Sequence, residues 1–418
     1  MSQDVAFPVS APVALPDQVS IGVLVEAVGR DRVDAAVDAC GVRERRAGGK
    51  LPAHVAVYLT MALCLFPDDP QDEVAAKVTG SLSAFGVWDA GWAAPTSSAI
   101  SQARQRIGPA VMRQVFELVA APVAEYSTPG GFLRSWRLTA IDGFSVDVPD
   151  TPANAAEFGY TTKAPGGSPF PKARVVTVAE CGTHAMLDAE VAGFGVGEKT
   201  LAKPILARLD PGWLLTADRN FYGFAAWRTA ADTGAALCWR APAQLKLPVV
   251  KLLPDGTYLS VVIDSAVQGA RRAQVLAAAH AGQCFDTDIA RLVRVVEYDV
   301  PDRGDAAKRE LICLLTTILD PQAASAGELA HAYHQRWEHE TGIDQVKTHL
   351  RGSGRVLRSR SPELVYAEIY GYLLVHYALS ALIGRAATAA GLDPDRISYM
   401  RTLRLVRRSA TGTAAFPP

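Results

Sequence analysis

The sequence predicts an α/β protein with a helical N-terminal part and a β-rich insertion late in its sheet-forming region. Three observations carry this. Apolar residues recur near a 3.6-residue period from about 21 to 125. Past residue 131, short apolar runs alternate with helical patterns, as in a sheet crossed by helices. Residues 243–318 break that alternation with paired apolar runs around turn residues.

Taken in order, residues 1–20 are Pro- and Ala-rich and read as a flexible lead-in. "SIGVLVEAVGRDRVDAAVDACG" is helical and closes on a Gly. "VAVYLTMALCLF" (55–66) is a buried helix that stops before Pro67. "PTSSAISQARQRIGPAVMRQVFELVA" (95–120) reads as two helices meeting at Gly108-Pro109, with a Ser/Thr cap in front. This is a helix–turn–helix in the broad sense, and Gln102, Gln105, Arg104 and Arg106 are expected on its exposed face, either against DNA or simply solvated. "STPGGF" (127–132) marks a boundary, so 21–130 is expected to be a helical domain, a DNA-binding one if the exposed face of its helix–turn–helix meets DNA.

Residues 131–242 then supply strands at "RLTAIDGFSVDVPD", "ARVVTVAECGTHAMLDAEVAGFG", "WLLTADRNFYG" and "AALCWRAP", with helices at "EKTLAKPILARL" and "FAAWRTAADTG". Residues 243–318 hold two hairpins, one across Pro254-Asp255-Gly256 and one within "ARLVRVVEYDVPDRGDAAKRELICLLTTIL". Residues 319–393 are helical again, and 394–418 read as an Arg-rich tail.

Bulk properties narrow the function classes. A chain of 418 residues holds several domains' worth of core, and 49% hydrophobic with 20% charged residues describes a globular protein. Asp4 and three early prolines leave no signal-peptide pattern, and the 55–66 run is too short to span a membrane. A cytoplasmic, nucleoid-associated location is expected. Six scattered cysteines without a C-x-x-C pair read as reduced, buried thiols. Charge is uneven: residues 1–100 carry 7 Lys/Arg against 12 Asp/Glu, and residues 351–418 carry 10 Arg, no Lys and 4 acids. Arginine suits phosphate, although an Ala-rich, Arg-rich composition also marks a GC-rich genome.

The chemistry concentrates in "YHQRWEHETGIDQVK" (333–347). Ser325-x-x-Glu328 is a capping box that starts a helix. At about 100° per residue, Tyr333, Arg336, Glu340 and Lys347 fall within a stripe roughly 60° wide. The stripe is either a solvated face with an Arg336–Glu340 pair or a surface for a phosphate-bearing substrate and a metal. The nearby His331, His334, His339 and His349 raise a zinc reading, but His339-Glu340 would need a second His where Ile343 stands. Two further carboxylates, Asp142 and Asp218, end apolar strands, where ligand groups gather in an open sheet. Two strand Asp residues and a helix Glu can hold two Mg²⁺ or Mn²⁺ ions for phosphodiester hydrolysis.

With these residues in place, the sequence resembles the DDE transposases of bacterial insertion sequences, in particular the fourth insertion-sequence family, whose third segment reads Y-x2-R-x3-E-x6-K. "LTAIDGFSVDVPDTPANAAEFG" resembles the first Asp segment, "LLTADRNFYGFAAW" the second, and "PTSSAISQARQRIG" and "YGYLLVHYAL" are also similar to family segments. The resemblance implies an RNase H-like catalytic core with Asp142, Asp218 and Glu340 as metal ligands, and a β-strand insertion in the 122 residues from Asp218 to Glu340. It further implies cleavage of terminal inverted repeats, attack of the 3′-OH on target DNA, a hairpin intermediate, and a homodimer on double-stranded DNA. Tyr333, Arg336 and Lys347 would position phosphates, with Arg104, Arg106 and Gln102 as further DNA contacts. The alternatives are a catalytically silent DNA-binding derivative and an RNase H-like nuclease without strand transfer.

Overall fold

The structure, a computed structural model, describes residues 24–42, 51–83, 95–161, 168–301 and 309–411. The lead-in 1–20, the tip of the second hairpin at 302–308 and the last residues of the expected tail lie outside the described residues.

The strands are β1 (Phe132–Leu133), β2 (Trp136–Asp147), β3 (Lys172–Glu180), β4 (Met186–Gly193), β5 (Trp213–Ala217), β6 (Ala236–Arg240), β7 (Lys251–Leu252), β8 (Tyr258–Ile263), β9 (Ala290–Pro301) and β10 (Arg309–Thr316). They form one sheet in the order β4-β3-β2-β5-β6-β10-β9-β8-β7, with β1 hairpinned onto β2. β2, β3 and β4 run antiparallel in sequence, and β5 and β6 are parallel to β2 and to each other. Counted from β2, the first five long strands stand 3-2-1-4-5, the RNase H-like order that was expected.

The two expected hairpins of 243–318 are present as β7–β8 and β9–β10. They do not stand apart as a separate β unit. β10 pairs antiparallel with β6, Leu314 opposite Arg240, so the insertion continues the same sheet. It also holds a helix, Gly269–His280, inside a segment read as β-rich.

The helices are α1 (Leu24–Ala27), α2 (Arg30–Ala39), α3 (Ala53–Leu65), α4 (Gln71–Ser83), α5 (Ser97–Val119), α6 (Pro152–Phe158), α7 (Glu198–Leu206), α8 (Phe224–Asp232), α9 (Gly269–His280), α10 (Ala326–His334), α11 (Trp337–Asp344), α12 (Pro362–Ala390) and α13 (Tyr399–Thr411). The kink of α5 lies at Gly108, whose φ of 69° suits glycine, followed by Pro109, and Thr96 caps its start by accepting from the Ala99 amide. α3 is buried along its whole length, as its unbroken apolar run requires. α12 is the one helix among the described residues long and apolar enough to cross a membrane, but it is mostly buried against α3 and α5.

Two apolar cores flank the catalytic end of the sheet. On one face, side chains of α1 to α5, α12 and α13 join Phe144, Val146, Val175 and Met186 in a single cluster. On the other, α7 and α8 pack Leu201, Ile205 and Trp227 against Ile141, Val176 and Leu237. The boundary expected at 127–132 is therefore no gap between domains. Buried Glu180 accepts from the Ala124 amide at 2.8 Å and from the Arg137 guanidinium, and a Cβ on Gly182 would lie 2.7 Å from the Gly131 nitrogen. Side-chain bulk at Gly182 would push the joint apart.

The segment expected as a tail is another correction. Most of 394–411 is the amphipathic helix α13, with Leu403, Val406 and Ala410 buried and Arg401 and Arg404 exposed. Its arginines follow a helical period that was not recognised. The cysteines are all free; Cys64, Cys181 and Cys238 are buried, Cys40 and Cys313 partly so, while Cys284 is exposed against expectation.

Candidate active site

Asp142 sits in the middle of β2, where apolar residues on both sides hold the strand in the sheet. Its parallel neighbour β5 ends one residue short of it: Ile141 lies opposite Ala217, the last residue of β5. Asp142 and Asp218 are thus the next residues on two adjacent strands, which run about 4.8 Å apart. Beyond this point β2 continues without β5 beside it, and a notch opens at the strand ends.

Helix α11 brings the third carboxylate. The rung of the ladder that holds Asp142 has Thr177 of β3 as its partner, and Thr177 Oγ1 lies 2.8 Å from His339 Nε2. His339 is fully buried, and burial, followed by nearby Arg336, lowers its pKa to about 3. It is a neutral positioning residue, and the zinc reading loses its central member. His331 and His334 are exposed, and His349 faces Asp344 at 3.4 Å.

Glu340 lies one residue past His339 and turns to the notch. The Arg336 guanidinium bridges the site, donating from Nη1 to Asp142 Oδ2 at 3.1 Å and from Nη2 to Glu340 Oε1 at 2.9 Å. Its carbon stands 5.1 Å from the centre of the Trp337 ring. Burial raises the Asp142 carboxyl above the usual range, opposed by the Gly143 amide at 2.7 Å and by Arg336. Glu340 and Glu198 add to the rise. Tyr333 is buried too, its phenol pushed up to about 12 by burial, with Asp218 near enough to contribute.

The stripe thus divides. Tyr333 and Arg336 are 6% and 7% exposed and lie inside, contrary to the expectation of a surface open to DNA. Glu340 and Lys347 face a cleft of about 510 Å³ that Asp142, Glu198, Arg174 and Asp344 also line. The expected single helix is broken as well. A tight turn at 335–336 separates α10 from α11, and residues Gln345–Leu350 form a wider π turn. The Ser325–Glu328 capping box is present.

Arg104 requires a correction. It is 1% exposed, donates to Ser359 Oγ at 3.1 Å, and cannot face DNA from that position. Its place was legible, because Ile100, Arg104, Ile107 and Val111 repeat at helical spacing and all are buried. Arg106 is partly buried and donates to the Leu51 carbonyl, while Gln102 is exposed.

Sequence reasoning missed Glu198 and Arg174 in the cleft. Glu198 approaches because residue 143 is glycine; a Cβ there would meet the Glu198 side chain at 3.0 Å. It also missed a neighbouring groove of about 1050 Å³, lined by Lys199, Arg219, Asn220, Lys246 and Arg272, and bordered by the same Glu198. Arg219 and Asn220 directly follow Asp218, but Lys246 and Arg272 come from the insertion, and no local pattern links them.

Asp142 lies within β2 and not at its end as expected; with Asp218 just past β5 and Glu340 on α11, on an RNase H-like sheet beside a cationic groove, it fits the arrangement of a DDE-class enzyme. The chain belongs to the transposase DDE domain family, whose sequence profile matches residues 136–377, and the insertion element 4 transposase N-terminal profile matches residues 18–117. It is 26% identical over 370 residues to the transposase InsG for insertion sequence element IS4 of Escherichia coli strain K12, covering 88% of this chain and 77% of that one. It is 28% identical over 203 residues to the putative transposase InsZ of the same organism, covering 48% of this chain and 64% of that one. A solved piggyBac transposase synaptic complex with hairpin DNA aligns with 93% of this chain and 79% of its own at a TM-score of 0.45 and 11% identity. This chain is an IS4-family DDE transposase, an enzyme that acts on DNA.

Proposed function

We propose that Asp142, Asp218 and Glu340 hold two Mg²⁺ ions, with Mn²⁺ as an acceptable substitute, and that the enzyme cuts the terminal inverted repeats of its element and joins them to target DNA. The observation that carries this reading is the end of β5 against the middle of β2, which leaves Asp218 beside Asp142, with Glu340 tied to Asp142 through Arg336. The donor set fits hard cations: Asp142 and Glu340 line an open cleft, and Asp218 follows the end of the adjacent strand β5. When bound, such ions activate water or a 3′-OH on one side of a phosphodiester and stabilise the leaving oxygen on the other.

The chain's own residues supply the rest. Arg336 orients Asp142 and Glu340 and balances their charge. Tyr333, buried and protonated at working pH, lies close enough to Asp218 to feel its charge. Lys347 and Arg174, in the cleft wall, meet phosphate oxygens of the cleaved strand. Arg219, Lys246 and Arg272 form no ion pair among the described residues and give the DNA backbone a path away from the cleft. Exposed Gln102 and partly exposed Arg106 lie on α5 as further DNA contacts. The 3′-OH freed by the first nick attacks a phosphodiester of the opposite strand, which closes the hairpin and releases the flanking DNA with its own 3′-OH; two chains pair the two ends.

The test is cleavage of end-labelled DNA flanking the gene, with Mg²⁺, by wild type, Glu340→Gln and Asp142→Asn. Nicking at a defined end followed by a hairpin, absent in both variants, is the expected result. Binding without cleavage by wild type would point to a silent derivative, and cutting without joining to a nuclease.

A further inference from the structure

A second polar cluster lies on the far side of α11. His184 Nε2 is 3.0 Å from Glu338 Oε2 and 3.4 Å from Asp395 Oδ1, and the three ligand atoms all lie within 4.8 Å of one another. They come from three separate parts of the chain: the β3–β4 turn, α11, and the short turn before α13. His184 holds a left-handed backbone, φ 60°, a conformation that costs a non-glycine residue free energy and aims this imidazole at the two acids.

Hydrogen bonding alone leaves the cluster unbalanced. Gln345 Nε2 is 3.0 Å from His184 Nδ1, and Gln345 Oε1 is 3.0 Å from His376 Nε2. With the amide in that orientation, His184 carries one proton on Nε2, and that proton serves one carboxylate while the other faces its like-charged neighbour. Beside them is a cavity of about 260 Å³. Ser380 and Tyr399 line it, and their buried hydroxyls have no hydrogen-bond partner. Ser380 is 1% exposed, so solvent outside the cavity does not satisfy it.

We propose that His184, Glu338 and Asp395 bind a divalent transition-metal ion of the zinc type, distinct from the cations of the catalytic cleft. One imidazole nitrogen and two carboxylate oxygens are a zinc donor set, and three protein ligands leave a fourth position for solvent. The cavity has room for that solvent, and the Ser380 and Tyr399 hydroxyls would receive it. Gln345 fits the metal-bound state with its amide turned over: its oxygen accepts from His184 Nδ1–H and its nitrogen donates to His376 Nε2. A ligating histidine is usually held by such a bond on its other nitrogen. His376 is buried, and burial lowers its pKa to about 3, so it is neutral and able to accept. Glu338 and Glu340 share α11, so the ion would fix the rotation of the helix that presents Glu340.

The test uses the full chain without DNA, which separates it from the transposase reading. Chelator-treated protein is titrated with Zn²⁺ in the presence of excess Mg²⁺, followed by calorimetry and thermal denaturation. Expected is one zinc per chain that resists Mg²⁺, raises Tm, persists in Glu340→Gln, and binds about 10–100-fold more weakly in Asp395→Asn and His184→Gln. Asp395 is half exposed at its side chain, so its variant keeps the fold even if the His184 variant does not. No zinc binding that resists Mg²⁺, or binding unchanged in Asp395→Asn, would overturn the proposal.

Discussion

Helix α11 presents Glu340 to one polar cluster and Glu338 to another, two residues and about 200° apart. On the Glu340 side, a permanent cation, Arg336, bridges two acids that face an open cleft. On the Glu338 side, a neutral-capable imidazole meets two acids beside a smaller cavity. The arginine keeps its proton, so it offsets the charge of both acids for as long as they are ionised. The histidine has one nitrogen for two carboxylates and leaves a vacancy in their pairing. One helix can thus serve two different cation chemistries, because opposite faces place its acids among different partners.

That comparison can be broken on the Glu340 side. Arg336→Ala leaves Asp142 and Glu340 facing each other without a counter-charge. Breaking a fully buried ion pair costs roughly 3–5 kcal/mol. Glu340 is 39% exposed at its side chain, so about 2 kcal/mol is expected here, seen as a lower Tm together with loss of cleavage. Added Mg²⁺ should raise the Tm of this variant more than that of wild type. An unchanged Tm would show that the bridge does not stabilise the site.

The next effect concerns what both faces share, the buried histidines His339 of α11 and His376 of α12. His339 and His376 have folded pKa values lowered to about 3, against 6.5 when unfolded. Below pH 6.5 the unfolded chain binds protons that the folded chain refuses, so stability is intact above that pH and falls as the pH drops. At pH 5 the loss is about 2 kcal/mol per histidine. Tm should fall between pH 7 and pH 5, and His376→Leu should flatten that fall.

The smallest expected effect sharpens the geometry. Thr177→Val removes the hydroxyl 2.8 Å from His339 while keeping its shape. A loss of about 1 kcal/mol is expected. Cleavage should slow by about tenfold, because Thr177 ties α11 to the same rung that carries Asp142. Equal slowing of DNA binding and cleavage would argue instead for a general loosening.

Much of this was legible because it is local. Strand periodicity marked β2 and β5, the capping box marked α10, and the Gly-Pro pair marked the kink in α5. Where reading failed, a long-range partner decided the outcome. Arg104 shared a face with Ile100, Ile107 and Val111, but only Ser359, 255 residues away, supplies the partner that lets a guanidinium sit there. Arg336 looked like a phosphate grip, but Asp142, 194 residues earlier, accepts its guanidinium. The arginines of α13 looked like a loose tail because the surface that buries Leu403 and Val406 is made by residues far along the chain.

The sequence by itself determined the family, the elements around Asp142, Asp218 and Glu340, and the i,i+4 spacing that pairs Arg336 with Glu340. These follow from local periodicity and from side-chain chemistry that does not depend on neighbours. Only the tertiary structure decided which cations are buried as counter-charges and which stay at the surface, how the insertion extends the sheet, and that His184, Glu338 and Asp395 meet. Burial and charge pairing depend on groups brought together by folding, and no window of neighbouring residues contains them.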